Sequence, residues 1–496
     1  MPSSIDPKVI VLHALRPSSR KTTIDHVVSL SEISGESNVA YLHFSNPLTP
    51  DILNMKSDIF IVNYDFLNYR FTPMWDFVKD RYKQVAQRAQ YRVAIVQDDF
   101  WAHLELDDWI SDWNIDRVLT PIESNLDSLY PKSIGRCEFR TVLTGYAPKL
   151  KDCGRAKPLY ERDIDLGQRV RHMSPSLGSY AEKKALQAIN FAALAEQKKF
   201  VVDVSADPKD ALLGNQWAEF LANSRFTVSM KGGASLADPR GLIHHKVNRY
   251  LNLNPDATFD DVEKNCFPGL DGRHVYSAIS PRLFEAAAAG TCQILQEDDY
   301  LGVLEPWVHY LPLSADLSNS EEILEAMRDL QKCQRIADAC FETLIASGDF
   351  THENLIRDTI SGLTLRESDV LNDKSFHSGK NYIVNLGKVQ TKHSTELHDA
   401  TWAFLYDLEL MNSRRKIKSF RKTLSFKPLN KEAISKCFKK LRHTSLPASL
   451  ILLFDLIEID QTDWLIQRLN EIERKQTLKI QVWTWRSLPQ FQVGPE

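Results

Sequence analysis

The stretch SPRLFEAAAAGTCQIL, residues 280–295, places one arginine and one glutamate in an otherwise small and apolar run. Ser280 suits a helix N-cap and Pro281 the first helical position, so a helix is predicted to begin here. Arg282 and Glu285, three residues apart, then share a face near the positively polarised helix start. A guanidinium there can bind phosphate, and a carboxylate suits two adjacent hydroxyls, as on a ribose. A structural salt bridge between the two is the alternative.

Further reactive side chains follow predicted strands in the first part of the chain. Asp98 and Asp99 follow one strand, and His13 ends another. Ligands of parallel sheets bind at the carboxyl ends of the strands, so these side chains are expected to face a cleft. A carboxylate or an imidazole in such a cleft can act as a general base towards a bound hydroxyl; either aspartate or His13 is a candidate, and Asp65 and His26 are weaker ones. An acidic pair that caps a turn and a structural histidine are the alternatives.

The later part of the chain offers groups that suit an anionic ligand. Arg169 and Arg171 lie two residues apart next to a predicted strand, so they point the same way and can make bidentate contacts with phosphate oxygens. Surface charge is the alternative. After a strand at 226–230, Gly232, Gly233, Ala234 and Ser235 are predicted to form a loop of small residues that allows a ligand close to the backbone. A plain tight turn is the alternative there.

The composition is that of a soluble globular protein. The chain has 496 residues, enough for two or three domains, with 43% hydrophobic and 25% charged residues. Its net charge of −4 predicts no nucleic-acid partner. The polar start predicts no signal peptide, and no apolar run approaches the roughly 18 residues of a membrane span. Seven scattered cysteines are typical of a reducing cytoplasm.

No metal site is predicted. The cysteines and histidines form no CxxC motif or mixed cluster with ligand spacing. A DxD match at Asp163 and Asp165 precedes a strand, and matches of three residues are common by chance. We therefore interpret this pair as unrelated to metal binding.

Residues 1–150 alternate predicted strands with amphipathic stretches. The strands are predicted at 8–15, 39–44, 58–64, 91–97, 116–121 and 139–145. One helix is predicted across 74–90, with a single apolar face formed by Trp75, Val78, Tyr82 and Val85. This alternation is typical of βαβ units and a parallel sheet that is covered on both faces.

A polar, basic linker at 147–163 precedes a second region of the same kind. Around a long polar insertion, helices are predicted at 180–197, 215–224, 320–331 and 333–346, and strands at 200–205, 226–230 and 308–313. The predicted fold class is α/β: two Rossmann-like domains, residues 1–150 and 151–365, facing a cleft. Residues 366–496 are predicted to be a C-terminal extension, α+β or helical, with two strands suggested at 449–457 and 478–485.

The extension contains a basic tract. Residues 414–442 hold twelve lysines and arginines against one glutamate, with aromatic and aliphatic residues between them. Such a tract suits an anionic membrane surface, so peripheral contact with the inner face of the membrane is predicted. A solvated helical face, or contact with an acidic partner, is the alternative.

The segment at 280–295 resembles the nucleotide-sugar motif of glycosyltransferases with the two-domain GT-B fold, in the broad family 1 group. The similarity is to bacterial glycosyltransferases of polysaccharide and O-antigen synthesis, and it covers roughly residues 8–360. Further stretches of the same kind occur in order along the chain: QDDFW (97–101), DIDLGQRVR (163–171), SLGSYAEKK (176–184), VVDVS (201–205), KGGASLADPRG (231–241), NPDATFDDVEKNCFPGLDG (254–272) and HYLPLSADLSN (309–319).

This resemblance implies roles for single residues. Glu285 is expected to hold the ribose hydroxyls of a donor, and Arg282 to support it or to contact phosphate. Arg169 and Arg171 are expected to bind the diphosphate in the cleft. The chain departs from the family at Lys231, where relatives carry an acidic residue, and a lysine there favours an anionic group on the donor.

The function that follows is that of a cytoplasmic, metal-independent glycosyltransferase of the hexosyltransferase kind. It is expected to move a sugar from a nucleotide-diphosphate donor to a hydroxyl of a glycan or lipid-linked glycan in cell-surface polysaccharide synthesis. Arginines and a helix N-terminus would stabilise the leaving diphosphate, with no cofactor beyond the donor. A nucleotide-sugar epimerase of the same fold and a non-catalytic glycosyltransferase-like binding protein are the alternatives.

Overall fold

The computed structural model describes most of the first 365 residues and short parts of the remainder. The described residues are 7–15, 19, 21–35, 38–44, 49–71, 75–153, 157–212, 215–365, 376, 449–454 and 479–484. The basic tract at 414–442 lies outside them, and so does its predicted membrane contact. Among the helices of the described residues, none is both long and apolar enough to cross a bilayer.

The first domain is built on a parallel sheet of six strands, and all six were predicted. They are β1 (Val9–His13), β2 (Val39–His43), β3 (Ser57–Val62), β4 (Ala89–Ile95), β5 (Arg117–Thr120) and β6 (Glu138–Thr141). Their order in the sheet is β2-β1-β3-β4-β5-β6. Val9 and Val11 pack into the core on one face, and Ile10 and Leu12 into the core on the other. β1 and β3 are buried along their whole length because both faces of the sheet are covered there, whereas β6, at the edge of the sheet, is exposed at Glu138 and Thr141.

Helices cover both faces of this sheet. They are α1 (Lys21–Ser29), α2 (Pro50–Leu53), α3 (Tyr64–Leu67), α4 (Trp75–Val78), α5 (Lys83–Ala86), α6 (His103–Trp113) and α7 (Leu126–Leu129). The prediction of one helix across 74–90 is wrong, because α4 and α5 are separate and β4 begins at Ala89. The hydroxyl of Tyr82, between them, donates to the carbonyl oxygens of His43 (3.2 Å) and Phe44 (3.0 Å). This tertiary contact fixes a non-helical turn, while all four predicted apolar residues remain buried.

The second domain repeats the α/β pattern around five parallel strands. They are β7 (Ile164–Arg169), β8 (Val202–Ser205), β9 (Ser224–Ser229), β12 (Cys292–Gln296) and β13 (Leu311–Leu313), in the order β13-β12-β9-β7-β8. The helices around them are α8 (Ser179–Gln197), α9 (Gln216–Ala222), α12 (Arg282–Ala288), α13 (Ser320–Ala326) and α14 (Leu330–Phe341). The structure therefore contains two parallel sheets with helices around them, in agreement with the predicted α/β fold class.

The polar insertion between β9 and β12 is a folded unit. It holds a two-stranded antiparallel pair, β10 (Gly232–Ala234) and β11 (Tyr276–Ala278), with α10 (Leu242–Leu253) and α11 (Phe259–Cys266) between them. The predicted loop at 232–235 is thus mostly a strand. Gly233 has a φ of +141°, and a Cβ there would lie 2.0 Å from the carbonyl oxygen of Tyr276. The close approach that requires this glycine is therefore that of β11.

The last well-described helix, α15 (His352–Ile360), returns to the first domain. Its Leu355 and Ile356 share a core with Val27 and Leu30 around α1. Phe376 is also fully buried in the core of the first domain. Two further strands, β14 (Ser449–Phe454) and β15 (Lys479–Thr484), pair in parallel where strands were predicted.

Candidate functional site

The start of α12 lies at the carboxyl edge of the second sheet. Pro281 is the N-cap of α12, so the helix begins one residue later than predicted, and Ser280 Oγ accepts the N–H of Arg282 at 3.4 Å. The guanidinium of Arg282 donates to Gln168 Oε1 at 3.0 Å and to the carbonyl oxygen of Arg169, both at the end of β7. The predicted arginine is thereby fixed at the strand ends, where ligands of such sheets bind.

Glu285 and Arg282 are joined through Trp217, on α9. Trp217 Nε1 donates to Glu285 Oε2 at 2.7 Å. The Arg282 guanidinium lies over the Trp217 ring, 4.7 Å from its centroid. The two charged groups thus bond to different partners, an arrangement unlike the alternative of a simple salt bridge. Sequence reasoning missed Trp217, which the sequence marks only as an aromatic residue in a polar helix.

Lys184, on α8, is a second cation beside Arg282. Burial and the charge of Arg282 lower the pKa of Lys184 to about 8. Within the described part of the chain its ammonium makes no hydrogen bond or ion pair. Two neighbouring cations of which one lacks a partner are costly unless an anion binds between them. Sequence reasoning missed Lys184, because nothing in its spacing sets it apart from Lys183.

The two arginines predicted to bind diphosphate are in different environments. Arg169 forms an ion pair with Asp203 Oδ1 at 2.8 Å and donates to the carbonyl oxygens of Asp203 (2.9 Å) and Asp210 (3.0 Å). It therefore ties β7 to β8 and the turn that follows. Arg171 is exposed in the next loop. Arg169 is thus occupied by partners on β8, and diphosphate binding by the two arginines stays a prediction.

Ser235, also predicted to contact the donor, bonds to the start of α8. Its hydroxyl donates to Asp271 Oδ1 at 2.7 Å and accepts the N–H of Tyr180 at 3.0 Å. Asp271 in turn accepts the N–H of Ser179 at 3.2 Å. These bonds satisfy the first N–H groups of the helix that carries Lys184. Ser235 therefore positions α8.

Lys231 pairs with an acidic residue on the neighbouring strand end. Lys231 is 6% exposed, and its Nζ lies 3.2 Å from Asp298 Oδ1, directly after β12. The position where an acid was expected thus holds a lysine, and a carboxylate lies next to it. The charge that Lys231 brings to this edge of the sheet is thereby largely balanced.

In the first domain the two candidate aspartates differ sharply in exposure. Asp99 is fully buried, and Thr120 Oγ1 (2.5 Å) and the hydroxyl of Tyr130 donate to it. Burial raises the pKa of the Asp99 carboxyl. Asp98 is exposed directly after β4 and has a φ of +52°. A base must touch the acceptor, so the geometry favours Asp98 over Asp99.

His13 ends β1 and is 1% exposed. Its Nδ1 accepts the N–H of Leu15 at 3.2 Å, so the proton of the neutral ring is on Nε2. Burial and the nearby His43 hold the pKa of His13 well below its usual range. With its lone pair already used, His13 is suited to donate a hydrogen bond, and it is poorly placed as a base.

Asp65 lies in the first turn of α3, and one of its hydrogen bonds reaches Ala14, the residue after His13. Its carboxylate accepts the N–H groups of Ala14 and Phe66 at 2.9 Å each and the amide of Asn63 at 2.9 Å. Burial raises the pKa of Asp65 to about 6. These bonds join the loops after β1 and β3, which is a positioning role for Asp65.

A chain of contacts links the Asp98 loop to the start of α12. Gln97 Nε2 donates to the carbonyl oxygen of Thr144 at 3.1 Å, and Thr144 Oγ1 donates to that of Ile279. A Cβ on Gly145 would lie 2.6 Å from Pro281 Cγ, so the glycine permits close contact between the domains. The carboxyl edges of the two sheets therefore meet at the predicted site.

A gap between the domains lies beside this region. It is lined by Phe100, Trp101, Ser176, Leu177, Leu236, Asp238 and His244, which leave almost no space for even a water-sized molecule. Small-molecule sites usually occupy roughly 300–1,000 Å³. This gap is too small for a nucleotide-sugar, so the strand edges around Lys184 and Arg282 are the better candidate.

The aspartates of the DxD match have structural partners. Asp165 pairs with Arg225 at 2.5 Å, and Asp163 accepts the amide of Asn223 at 3.2 Å. In the described parts of the chain, no cluster of three or more His, Cys, Asp or Glu side chains is placed to hold a metal ion.

Acid is expected to destabilise the fold through buried histidines such as His26. Burial and the charge of His352 lower the pKa of His26 to about 3. The pKa of a histidine in the unfolded chain is about 6.5. The stability that the neutral ring of His26 contributes is therefore complete above pH 6.5 and is lost as the pH falls towards 3. At pH 5 the loss for this group is about 2 kcal/mol, at 1.36 kcal/mol per pH unit. Urea unfolding at pH 7 and at pH 5 gives the free energy of unfolding at each pH. Between the two, His26→Leu should lose less of it than the parent protein. An equal loss in both proteins would contradict the assignment.

Neither a protein-family model nor a curated protein matches the chain. Solved structures that resemble it include an α-glucosyltransferase in complex with UDP and a 13-mer DNA, with a TM-score of 0.41 and 10% identity over 71% of this chain and 98% of that one. HepE of Anabaena in complex with UDP-glucose has a TM-score of 0.42 and 11% identity over 72% and 100% of the two chains. AviGT4, a glycosyltransferase involved in avilamycin A biosynthesis, has a TM-score of 0.35 and 9% identity over 71% and 96%.

The first and third of these structures are of glycosyltransferases, and their low scores carry no residue's role over to this chain. They do overturn one prediction. Nucleic acid was excluded as a partner from the net charge of −4, and a glucosyltransferase among the similar structures is bound to DNA. The exclusion is wrong because net charge averages over the whole surface and does not describe a local binding face.

Proposed function

We propose that this chain is a glycosyltransferase that binds a nucleotide-diphosphate sugar at the carboxyl edge of the second sheet. The observation that carries the proposal is the position of Arg282, which is fixed at the end of β7 and lies over Trp217, the residue that bonds Glu285; Lys184 adds a second cation that Arg282 affects electrostatically. An unpartnered ammonium next to a guanidinium suits a diphosphate, and a carboxylate nearby suits the ribose hydroxyls.

In the transfer itself, charge develops on the departing diphosphate. The bond between the anomeric carbon and the diphosphate oxygen breaks, and its electron pair leaves with the phosphate. Lys184 and Arg282 would stabilise that charge in place, so we propose that the reaction needs no metal ion. The acceptor oxygen forms the new bond to the anomeric carbon as Asp98 takes its proton.

The proposed acceptor is a hydroxyl of a glycan or lipid-linked glycan in polysaccharide synthesis. The order of the motifs between residues 97 and 319 supports it. An acceptor panel should contain glycans, lipid-linked glycans and double-stranded DNA, each with and without EDTA. Conversion of the donor in the absence of any acceptor would instead indicate an epimerase.

Glu285→Gln tests the donor site directly. Charge-assisted hydrogen bonds to the ribose contribute about 1.5–3 kcal/mol, so donor affinity should fall by about ten- to a hundredfold. The melting temperature should change little, because a glutamine oxygen still accepts from Trp217 Nε1. The donor is first identified by screening nucleotide-sugars for an increase in the melting temperature of the protein. A ligand at 100 times its dissociation constant stabilises the folded state by about 2.7 kcal/mol. The affinity of each variant for that donor is then measured by calorimetry.

The matched control is Glu219→Gln, an exposed glutamate on α9 in the turn after Trp217. It should change neither donor affinity nor melting temperature. Unchanged affinity in Glu285→Gln together with a clearly lower melting temperature would show that Glu285 is structural, and the donor site would then lie elsewhere.

A further inference from the structure

A buried arginine donates hydrogen bonds to the backbone of the loop that carries Asp98. Arg70 is 4% exposed and follows α3. Its Nη2 donates to the carbonyl oxygens of Gln97 and Asp98, at 2.8 Å each, and its Nε to that of Trp101 at 3.1 Å. One guanidinium therefore binds both ends of the loop at 97–101.

The loop needs such support because its backbone is strained. Asp98 has a φ of +52° and Ala102 a φ of +50°, and neither is glycine. A residue in this region costs about 1–3 kcal/mol and persists only where surrounding contacts fix it. The fully buried carboxylate of Asp99 faces the charge of Arg70 and helps to keep that charge inside the domain.

We propose that Arg70 is a positioning residue for the transfer reaction. It fixes the strained loop so that the Asp98 carboxylate is presented to the acceptor hydroxyl. A guanidinium is required because its planar fork reaches three carbonyl oxygens at once, which a single ammonium does not. This inference rests on the proposed function, in which Asp98 is the base.

The first test compares Arg70→Lys with the parent protein. Turnover should fall by about ten- to a hundredfold, the size of effect that a 1 Å misplacement of a reacting group produces. The donor dissociation constant and KM should stay unchanged. Amide hydrogen exchange of residues 97–102 should become faster, since the loop loses its clamp.

Arg117→Lys is the matched control. Arg117 is 2% exposed and is the first residue of β5, so it lies at the amino-terminal ends of the strands, away from the Asp98 loop. It donates to the carbonyl oxygens of Asp358, Thr359 and Ser361. This variant should lose comparable stability but keep turnover and the exchange of 97–102. An equal fall of turnover in both variants would overturn the proposal, as would unchanged exchange of 97–102 in Arg70→Lys.

A double-mutant cycle separates this inference from the proposed base. If Arg70 acts through Asp98, Arg70→Lys should cause no further loss of turnover in the Asp98→Asn background. An equal loss in both backgrounds overturns the proposal alone. Full turnover in Asp98→Asn overturns the base and the proposal together, while donor binding still reports on the donor site.

A second variant covers the case in which Arg70→Lys does not fold. Arg70→Ala opens a space of the size of a guanidinium, and added guanidinium at millimolar concentration should restore part of its turnover. Added sodium chloride at the same ionic strength should not. Equal effects of the two salts would overturn the proposal.

Discussion

Asp98→Asn is expected to lower turnover by about 10²–10⁴ while donor affinity stays nearly unchanged. The substitution keeps the size of the side chain and removes only the group that accepts the proton. Asp98 is exposed directly after β4, in the loop that Gln97 links through Thr144 to the start of α12. Turnover at saturating donor and acceptor, with donor affinity from calorimetry, measures the two quantities separately.

Asp99→Asn is the control for this prediction. Asp99 is fully buried and accepts from Thr120 and Tyr130, so its loss should reduce the free energy of unfolding by about 1.5–3 kcal/mol. Its turnover, measured below the melting temperature, should fall much less than that of Asp98→Asn. A full loss in Asp99→Asn with normal turnover in Asp98→Asn would reverse the assignment.

Lys184→Met is expected to weaken donor binding by about ten- to a hundredfold without lowering stability. The ammonium has no partner in the described residues, so removing its charge relieves the cost of burial. A structural lysine would show the opposite pattern, lower stability and unchanged binding. Lys183→Met, at the exposed neighbouring position on α8, should leave both quantities unchanged.

Proton uptake gives this prediction an independent readout. Burial and Arg282 lower the pKa of Lys184 to about 8, so part of the population is neutral near pH 8. A bound diphosphate favours the charged form and raises the pKa, so binding at pH 8 should take up protons. Calorimetry in buffers with different ionisation enthalpies measures this uptake. The uptake should be absent in Lys184→Met, and its absence from the parent protein would contradict the assignment.

The sequence predicted the elements that depend on local patterns. The central strands β1 and β3 follow from the apolar runs around Val11 and Ile61, because strands that are covered on both faces are rich in apolar residues. Ser280 and Pro281 indicated the start of α12 to within one residue, because the residue types at a helix start reflect contacts between near neighbours in the chain. The helix predicted across 74–90 failed where a distant contact of Tyr82 outweighed the local pattern.

Only part of the candidate site could be predicted from the sequence. Arg282 and Glu285 could be named from their spacing, but their link through Trp217 and the presence of Lys184 beside them could not. Asp98 and Asp99 are adjacent and identical in type, yet one is exposed and the other fully buried. Such differences arise when strands and helices from distant parts of the chain pack together. Burial and charge contacts are properties of that packing, so only the tertiary structure decided which of these side chains can meet a ligand.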